Sequence, residues 1–283
     1  MMGPLCGRKA YVFDKEGAVD NPRVFMSTRI LSLDGGINFR DLGGYATEDG
    51  RRVVWRRLFR SGSPHRLTDG DWAKLAELGV GFACDLRGNA ERSKTPSGWA
   101  MRGVQVAEWD YEMHEDSFRK FFDHGPPNTA DLIAFMRAFY VQLPDKFGNR
   151  FKHLVDELLA QPERGVVVHC AAGKDRTGIL CALLLTALGV PRETVIEDYH
   201  LTEAALPMHF LLQSLLERDD SSWSFIKDLP QDMQAILLGA PKEMIEAAID
   251  HIERQYGNVL TWMESELAIG GVEIEALRVH FTE

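Results

Sequence analysis

The sequence predicts an α/β fold in which a central, mostly parallel sheet is flanked by helices, with a helical annex towards the C-terminal end. Three observations predict it. Short β-branched runs alternate with segments whose apolar residues recur at helical spacing. The run at 165–170 lies between two such segments, as a central parallel strand does. From residue 192 onwards helical spacing dominates.

Each element is predicted by local signals in chain order. Thr68 is placed to cap a helix, with Asp71 three residues later and Gly79 at its end. The β-branched residues of 165–170 favour a strand buried on both faces. The predicted elements are short strands and turns over 30–66, a helix over 68–79, strands over 80–87 and 103–109, helices over 129–143 and 149–161, a strand over 165–170 and a helix over 177–189.

The chain predicts one domain with a leader. Residues 1–27 carry few structural signals and are interpreted as an N-terminal leader, and 28–283 as a single domain. Within it, 192–283 is predicted to be a helical annex that packs on the α/β part. Since no flexible linker precedes residue 192, the annex is not expected to be independent.

Charge and cysteine content exclude several classes of protein. Net charge is −10, and the acidity lies in 192–283, with 6 basic and 18 acidic residues against 26 and 24 in 1–191. This argues against a general nucleic-acid binder. The thirteen apolar residues of 178–190 are too few to span a bilayer, so no stable membrane insertion is expected. Four cysteines without CxxC spacing predict neither a disulfide framework nor a zinc site.

The segment HCAAGKDRTG at 169–178 carries the chemistry. A strand delivers Cys170 to the carboxyl edge of the sheet, and a helix is predicted to start just after Arg176. Backbone amides between them can then turn towards one point and, with the helix N-terminus, bind an anion. Three small residues permit close approach of a ligand to the backbone: Ala171, Ala172 and Gly173.

The same groups suit a thiolate nucleophile. Cationic groups and a helix N-terminus favour the ionised form of a cysteine. Arg176 can bind two phosphate oxygens, and the Thr177 hydroxyl can donate to the sulfur. We therefore expect Cys170 to attack phosphorus, giving a cysteinyl-phosphate that water hydrolyses, with no metal or cofactor.

Two other functions fit the same residues less well. A sulfurtransferase also places a cysteine near cationic groups after a strand, and thiosulfate-to-cyanide transfer would reveal it. A non-catalytic phospho-binding module would bind phosphopeptides without turnover, but such modules usually lack the cysteine or the arginine. A Walker A loop is excluded, because it requires glycine at position 168 and serine or threonine at 175.

HCAAGKDRTG resembles the signature of cysteine-dependent protein tyrosine phosphatases, and most closely an atypical bacterial group of them. The likeness extends over about 38–268, through NFRDLGG at 38–44, LFRSG at 58–62, the DLR of 85–87 with Glu91, EDYHLTE at 197–203 and the segment 242–263.

The resemblance implies a tyrosine-phosphatase-like fold with a helical lid, and activity on phosphotyrosine, with phosphoserine/threonine and phosphoinositides as further substrates. It makes Cys170 the nucleophile and Arg176 the phosphate-binding arginine. Lys174 matches a basic position that helps phosphoinositide phosphatases bind extra phosphates. Arg60, in LFRSG, is a further candidate substrate-binding residue.

The general acid stays open between two residues. Standard tyrosine phosphatases supply it from a Trp-Pro-Asp loop, which this sequence lacks. Asp175 is favoured because it lies beside the phosphate site, with Asp110, after Trp109, as the alternative and Asp116 as a further possibility. A reducing compartment suits the thiol, so the cytoplasm is expected, with signal-independent export as the alternative. Oligomeric state is left open.

Overall fold

The computed structural model describes residues 29–112, 120–122, 127–206, 208–209, 211–212 and 221–283. The leader predicted over 1–27 lies outside these residues. In the part of the chain that is described, no helix is both long and apolar enough to cross a membrane.

Helices and strands alternate up to residue 200, as predicted. In chain order the elements are β1 (Arg40–Asp41), β2 (Leu58–Ser61), α1 (Asp69–Glu77), β3 (Val80–Asp85), α2 (Asn89–Lys94), a 3-10 turn (Ala100–Arg102), β4 (Gln105–Glu108), α3 (Thr129–Val141), α4 (Leu143–Ala160), β5 (Gly165–His169), α5 (Asp175–Ala187), α6 (Arg192–His200), α7 (Thr202–Ala205), a 3-10 segment (Ser221–Asp228), α8 (Gln231–Leu238), α9 (Lys242–Tyr256), α10 (Val259–Leu267) and α11 (Gly271–Phe281).

The five strands form one sheet in the order β1-β2-β5-β3-β4. β2, β5, β3 and β4 are parallel, and the two-residue β1 pairs antiparallel with β2. The mostly parallel sheet that the sequence predicts is therefore confirmed. β5 is central, so the chain that leaves its carboxyl end at His169 passes between the ends of β2 and β3.

β5 is buried on both faces, as its β-branched sequence predicts. Val166 and Val168 pack into a large apolar cluster with α4, α5 and the annex helices. Val167 faces the opposite side, in a smaller cluster with Phe59 and Trp99. Because α5 lies inside the large cluster, almost all of its side chains are apolar and buried.

Helix boundaries follow local chemistry, with two differences from the prediction. Thr68 and Asp71 form the capping box at the start of α1. α4 starts at Leu143 rather than at 149, because Pro144 sits in the first turn, where a missing amide proton costs nothing. α5 begins at Asp175, so Arg176 lies inside the helix and not before it.

Candidate active site

Cys170 lies at the carboxyl end of β5 and is 2% exposed. The residues that follow it, 171–174, form a loop that leads into α5. We call 170–176 the anion loop. The residues that leave β2 lie beside the loop, since the Ser63 amide donates to the Ala171 carbonyl at 2.8 Å.

The carbonyls of the anion loop are bonded to groups outside it. The side-chain amide of Asn38 donates to the Ala172 carbonyl at 3.1 Å and to the Gly173 carbonyl at 2.7 Å. In a planar trans peptide the following N–H points opposite to the C=O. With the carbonyls of Ala171, Ala172 and Gly173 held outwards, the amides of 172–174 face the inside of the loop, as an anion site requires.

Gly173 is required by the geometry of the anion loop. Its φ is +67°, a left-handed conformation, and a Cβ there would lie 2.4 Å from the carbonyl carbon and oxygen of Ser61. Only a residue without a side chain fits so close to another backbone segment. The glycine at 173 therefore serves the packing of the loop, and ligand approach at the three small residues stays a prediction.

Arg60 stabilises the anion loop from behind and does not face its inside. Its guanidinium is fully buried and donates to the Gly173 carbonyl at 2.9 Å and to Asp198 at 2.7 Å. Asp198 also pairs with Arg40 at 3.3 Å and accepts from the Tyr45 hydroxyl at 2.9 Å. A buried charge needs buried partners, which the Arg60 guanidinium has here, and its contact with substrate stays a prediction.

The Arg176 side chain is oriented by the carboxylate of Glu91. From the sequence, Glu91 was known only as part of a motif that carries the family resemblance. Arg176 Nη1 and Nη2 donate to the two Glu91 oxygens at 2.6 and 2.7 Å. The Gly88 amide donates to the same carboxylate at 2.8 Å, which fixes Glu91 at the start of α2. Burial opposes ionisation of Glu91, but the charge of Arg176 outweighs it, and the pKa of Glu91 lies below its ordinary value.

One edge of the Arg176 guanidinium is left available. Nη1 further contacts the Leu86 carbonyl at 3.0 Å and the Tyr111 hydroxyl at 3.1 Å. The Nε proton and the second Nη2 proton have no recorded acceptor among the residues that the structure describes. These two donors form a planar pair that matches two phosphate oxygens.

Asp175 lies at the first position of α5, next to Arg176. Its side chain is 28% exposed, and Oδ1 accepts a hydrogen bond from the Tyr140 hydroxyl. Oδ2 has no recorded partner in the described part of the chain. A carboxyl group anchored through one oxygen, with the other oxygen unbonded, can exchange a proton through that second oxygen.

Lys174 is turned away from the anion site. It is 3% exposed, and its ammonium donates to the Leu237 carbonyl at 2.6 Å and lies 3.5 Å from Asp175. Leu237 is in the last turn of α8, where carbonyls lack helical partners and attract cations. This orientation gives no support to binding of a second substrate phosphate by Lys174, which stays a prediction.

Asp110 does not reach the anion loop in this structure. Its carboxylate is 90% exposed and pairs with Arg92 at 2.9 Å. Trp109 and Asp110 follow the edge strand β4, so the side chain of Asp110 faces solvent. The third candidate acid, Asp116, lies outside the described residues.

His169 and Thr177 flank the anion loop. Trp99 donates its indole N–H to His169 Nε2 at 3.0 Å, which leaves the ring proton on Nδ1, 3.4 Å from the Cys170 carbonyl. Burial holds the pKa of His169 below its ordinary value, so the ring is neutral. The Thr177 hydroxyl is buried without a hydrogen-bond partner among the described residues. Its predicted bond to the Cys170 sulfur stays a prediction.

Two further cysteines are described, and both are buried thiols. Burial raises the pKa of Cys181 to about 12 and holds that of Cys84 well above its ordinary value. A protonated thiol is a poor nucleophile, so neither suits covalent catalysis. Of the three cysteines that the structure describes, Cys170, the first residue of the anion loop, is the one whose position fits that role.

Comparison with known proteins agrees with this geometry. The model of a family described as the tyrosine phosphatase family matches residues 31–283. The chain belongs to the tyrosine phosphatase family. It is a hydrolase of the protein-tyrosine-phosphatase type, as the motif and its resemblance predict.

Relatives of the chain come from several bacteria. The triple specificity protein phosphatase PtpB of Mycobacterium tuberculosis is 30% identical over 259 residues, which cover 81% of this chain and 91% of PtpB. A Cupriavidus necator protein, provisionally named a tyrosine-protein phosphatase, is 35% identical over 171 residues, covering 60% of this chain and 61% of that protein. The solved structure of Pseudomonas aeruginosa TpbA is 14% identical to this chain, and the match covers 69% of this chain and 96% of TpbA. The TM-score is 0.31, which is a low structural similarity.

Sequence reasoning missed the residues that position the site from a distance. Asn38 and the tyrosine pair Tyr140 and Tyr199 lie far from the loop along the chain. Asn38 lies within NFRDLGG, a segment that carries the family resemblance, and this was the only hint of its role in the sequence. In the structure its φ of +54° is unusual for a residue other than glycine. Tyr140 reads in sequence as part of the apolar face of a helix, and nothing local sets it apart.

Proposed function

We propose that this protein hydrolyses phosphomonoesters, phosphotyrosine first among them, through a cysteinyl-phosphate on Cys170. One observation carries the proposal. Residues 170–176 together supply Cys170, the inward-facing loop amides and the open edge of the Arg176 guanidinium, with Asp175 among them. Such donors bind the phosphoryl oxygens and stabilise their charge as the transition state forms.

The reaction has two displacements. In the first, the Cys170 sulfur bonds to phosphorus as the bond from phosphorus to the ester oxygen breaks, and Asp175 gives its proton to that oxygen. In the second, water bonds to phosphorus as the bond to sulfur breaks, and Asp175 takes the proton of the water. The enzyme is then restored, and the products are alcohol and phosphate.

The nucleophile is tested with p-nitrophenyl phosphate in the presence of EDTA. We expect Cys170→Ser to abolish turnover, because a serine hydroxyl is not ionised in this site. Cys181→Ser, at a buried cysteine outside the site, is the matched control and should retain activity. Full turnover by Cys170→Ser would reject the assignment, and tight phosphopeptide binding without any wild-type turnover would indicate a binding module instead.

We propose phosphotyrosine as the principal substrate, with phosphoserine, phosphothreonine and phosphoinositides as further substrates. PtpB, which shares 30% of its aligned residues, is named a triple specificity phosphatase. The burial of Lys174 leaves no support from that residue for a lipid headgroup. Rates on a phosphotyrosine peptide, a phosphoserine peptide and phosphoinositide vesicles test this, and a zero rate on the first would contradict it.

The cytoplasm, with signal-independent export as the alternative, remains our proposal for where the enzyme acts. A working thiol needs a reducing compartment, and the three described cysteines are free. Fractionation of cells followed by a phosphatase assay of each fraction tests the location.

A further inference from the structure

Two buried tyrosines lie behind the carboxyl group of Asp175. Tyr140 comes from α3 and Tyr199 from α6, and both are at most 1% exposed. The Tyr140 hydroxyl donates to Asp175 Oδ1, and the two tyrosine oxygens are 2.6 Å apart. The rings stand nearly perpendicular, with centroids 5.9 Å apart. Side chains from three helices therefore form one chain of hydrogen bonds that ends at a carboxylate oxygen.

The hydrogen bonds of this group run in one direction. A tyrosine hydroxyl carries a single proton. Since Tyr140 gives its proton to Asp175, Tyr199 must donate to the Tyr140 oxygen. Hydrogen bonds in such a chain strengthen one another. Burial first, and then the charge of Asp175, raise the pKa of both tyrosines well above the ordinary value, so both stay protonated donors.

A glycine in α5 makes room for this arrangement. A Cβ at Gly178 would lie 2.8 Å from Cδ2 of Tyr199. Any side chain there would push the Tyr199 ring away from the first turn of α5, and its hydroxyl away from Tyr140. The glycine at 178 is thus explained by its packing against the Tyr199 ring, independently of the hydrogen bonds.

We propose that Tyr140 and Tyr199 are positioning residues that hold Asp175 through Oδ1, so that Oδ2 carries the proton exchanged with the reacting oxygen. The inference rests on the proposed function, in which Asp175 is the acid and base. The tyrosines keep their own protons throughout. In the first displacement the proton leaves Oδ2 for the ester oxygen, and in the second Oδ2 receives a proton from water.

The test compares two esters that differ in how much they need the acid. p-Nitrophenolate leaves readily without a proton, whereas phenolate, the leaving group most like that of phosphotyrosine, depends on protonation. A general acid contributes about 10²- to 10⁴-fold to such a step. We expect Asp175→Asn to reduce kcat/KM for phenyl phosphate at least about 10-fold more than for p-nitrophenyl phosphate.

Tyr140→Phe should also lose more activity on phenyl phosphate than on p-nitrophenyl phosphate. We expect the ratio of kcat/KM for phenyl phosphate to that for p-nitrophenyl phosphate to fall by about 3- to 10-fold. Tyr199→Phe should shift the ratio in the same direction by less, because it acts through Tyr140. Tyr45→Phe, which removes another buried tyrosine hydroxyl, one bonded to Asp198, is the control and should leave the ratio unchanged. A purely structural role for Tyr140 would lower both rates equally.

Each outcome decides the inference. An unchanged ratio in both Tyr140→Phe and Tyr199→Phe overturns it, and so does an unchanged ratio in Asp175→Asn. Those results leave Cys170-dependent turnover of the wild type intact, so they are distinct from failure of the proposed function, which would appear as turnover by Cys170→Ser. Should one tyrosine variant not fold, the other still gives the ratio.

Discussion

Gly173→Ala tests whether backbone packing creates the anion site. The added Cβ meets the backbone of Ser61 and Gly62 at 2.4 to 2.5 Å, and the residue must keep a φ of +67°. Neither neighbour is a flexible side chain that can move aside. The anion loop must therefore shift, and its inward-facing amides shift with it.

The magnitude follows from two separable costs. A left-handed φ costs a residue with a side chain about 1–2 kcal/mol. Forcing atoms into a packed site adds about 1–3 kcal/mol. Gly79 separates the two, because its φ is +69° and a Cβ there has nothing within 4 Å. We expect the free energy of unfolding to fall by about 1–2 kcal/mol in Gly79→Ala and by about 2–5 kcal/mol in Gly173→Ala.

Urea denaturation of both variants measures the two losses, and titration with vanadate measures anion binding. Gly173→Ala should bind vanadate at least about 10-fold more weakly, since a displaced loop no longer presents its amides together. Gly79→Ala should bind it as the wild type does. Equal losses of stability in the two variants, with vanadate binding retained in both, would refute the reasoning.

Two further predictions concern the buried charges. Glu91→Gln should lower kcat/KM by about 10- to 100-fold, since Arg176 loses its orientation, and unchanged kinetics would contradict this. Burial is the largest single influence on the pKa of Asp198 and raises it. The charges of Arg40 and Arg60 together outweigh burial, so the pKa of Asp198 lies well below its ordinary 3.8. Its contribution to stability is present above about pH 4 and is lost as pH falls below it. Asp198→Asn should unfold about 3–5 kcal/mol more easily at pH 7, with a smaller deficit at pH 3 by urea denaturation; an equal deficit at both would argue against it.

The fold could be predicted where a local pattern has one structural solution. The β-branched residues of 165–170 can be buried on both faces only at the centre of a sheet, and β5 lies there. Thr68 and Asp71 define the start of α1 because the capping box needs only neighbouring residues. β1 was not predicted as a distinct strand, because two residues carry too little pattern. The early start of α4 was missed because Pro144 reads as a break unless its place in the first turn is known.

The sequence by itself determined the chemistry of this protein. Cys170, Arg176 and the small residues between them lie within a few positions of each other, so their spacing alone brings sulfur, guanidinium and amides to one place. That part of the site depends only on a strand, a loop and a helix start, each of which has a local signal.

Only the tertiary structure decided which partners the buried charged groups take. Lys174 and Arg60 looked equally available in sequence, but each is buried, and a buried cation must point at the nearest acceptor, here the Leu237 carbonyl and Asp198. The carboxylate that orients Arg176, and the tyrosines that hold Asp175, come from distant segments. Their hydrogen bonds exist only once the core has packed, so no local pattern in the chain predicts which group each of them bonds.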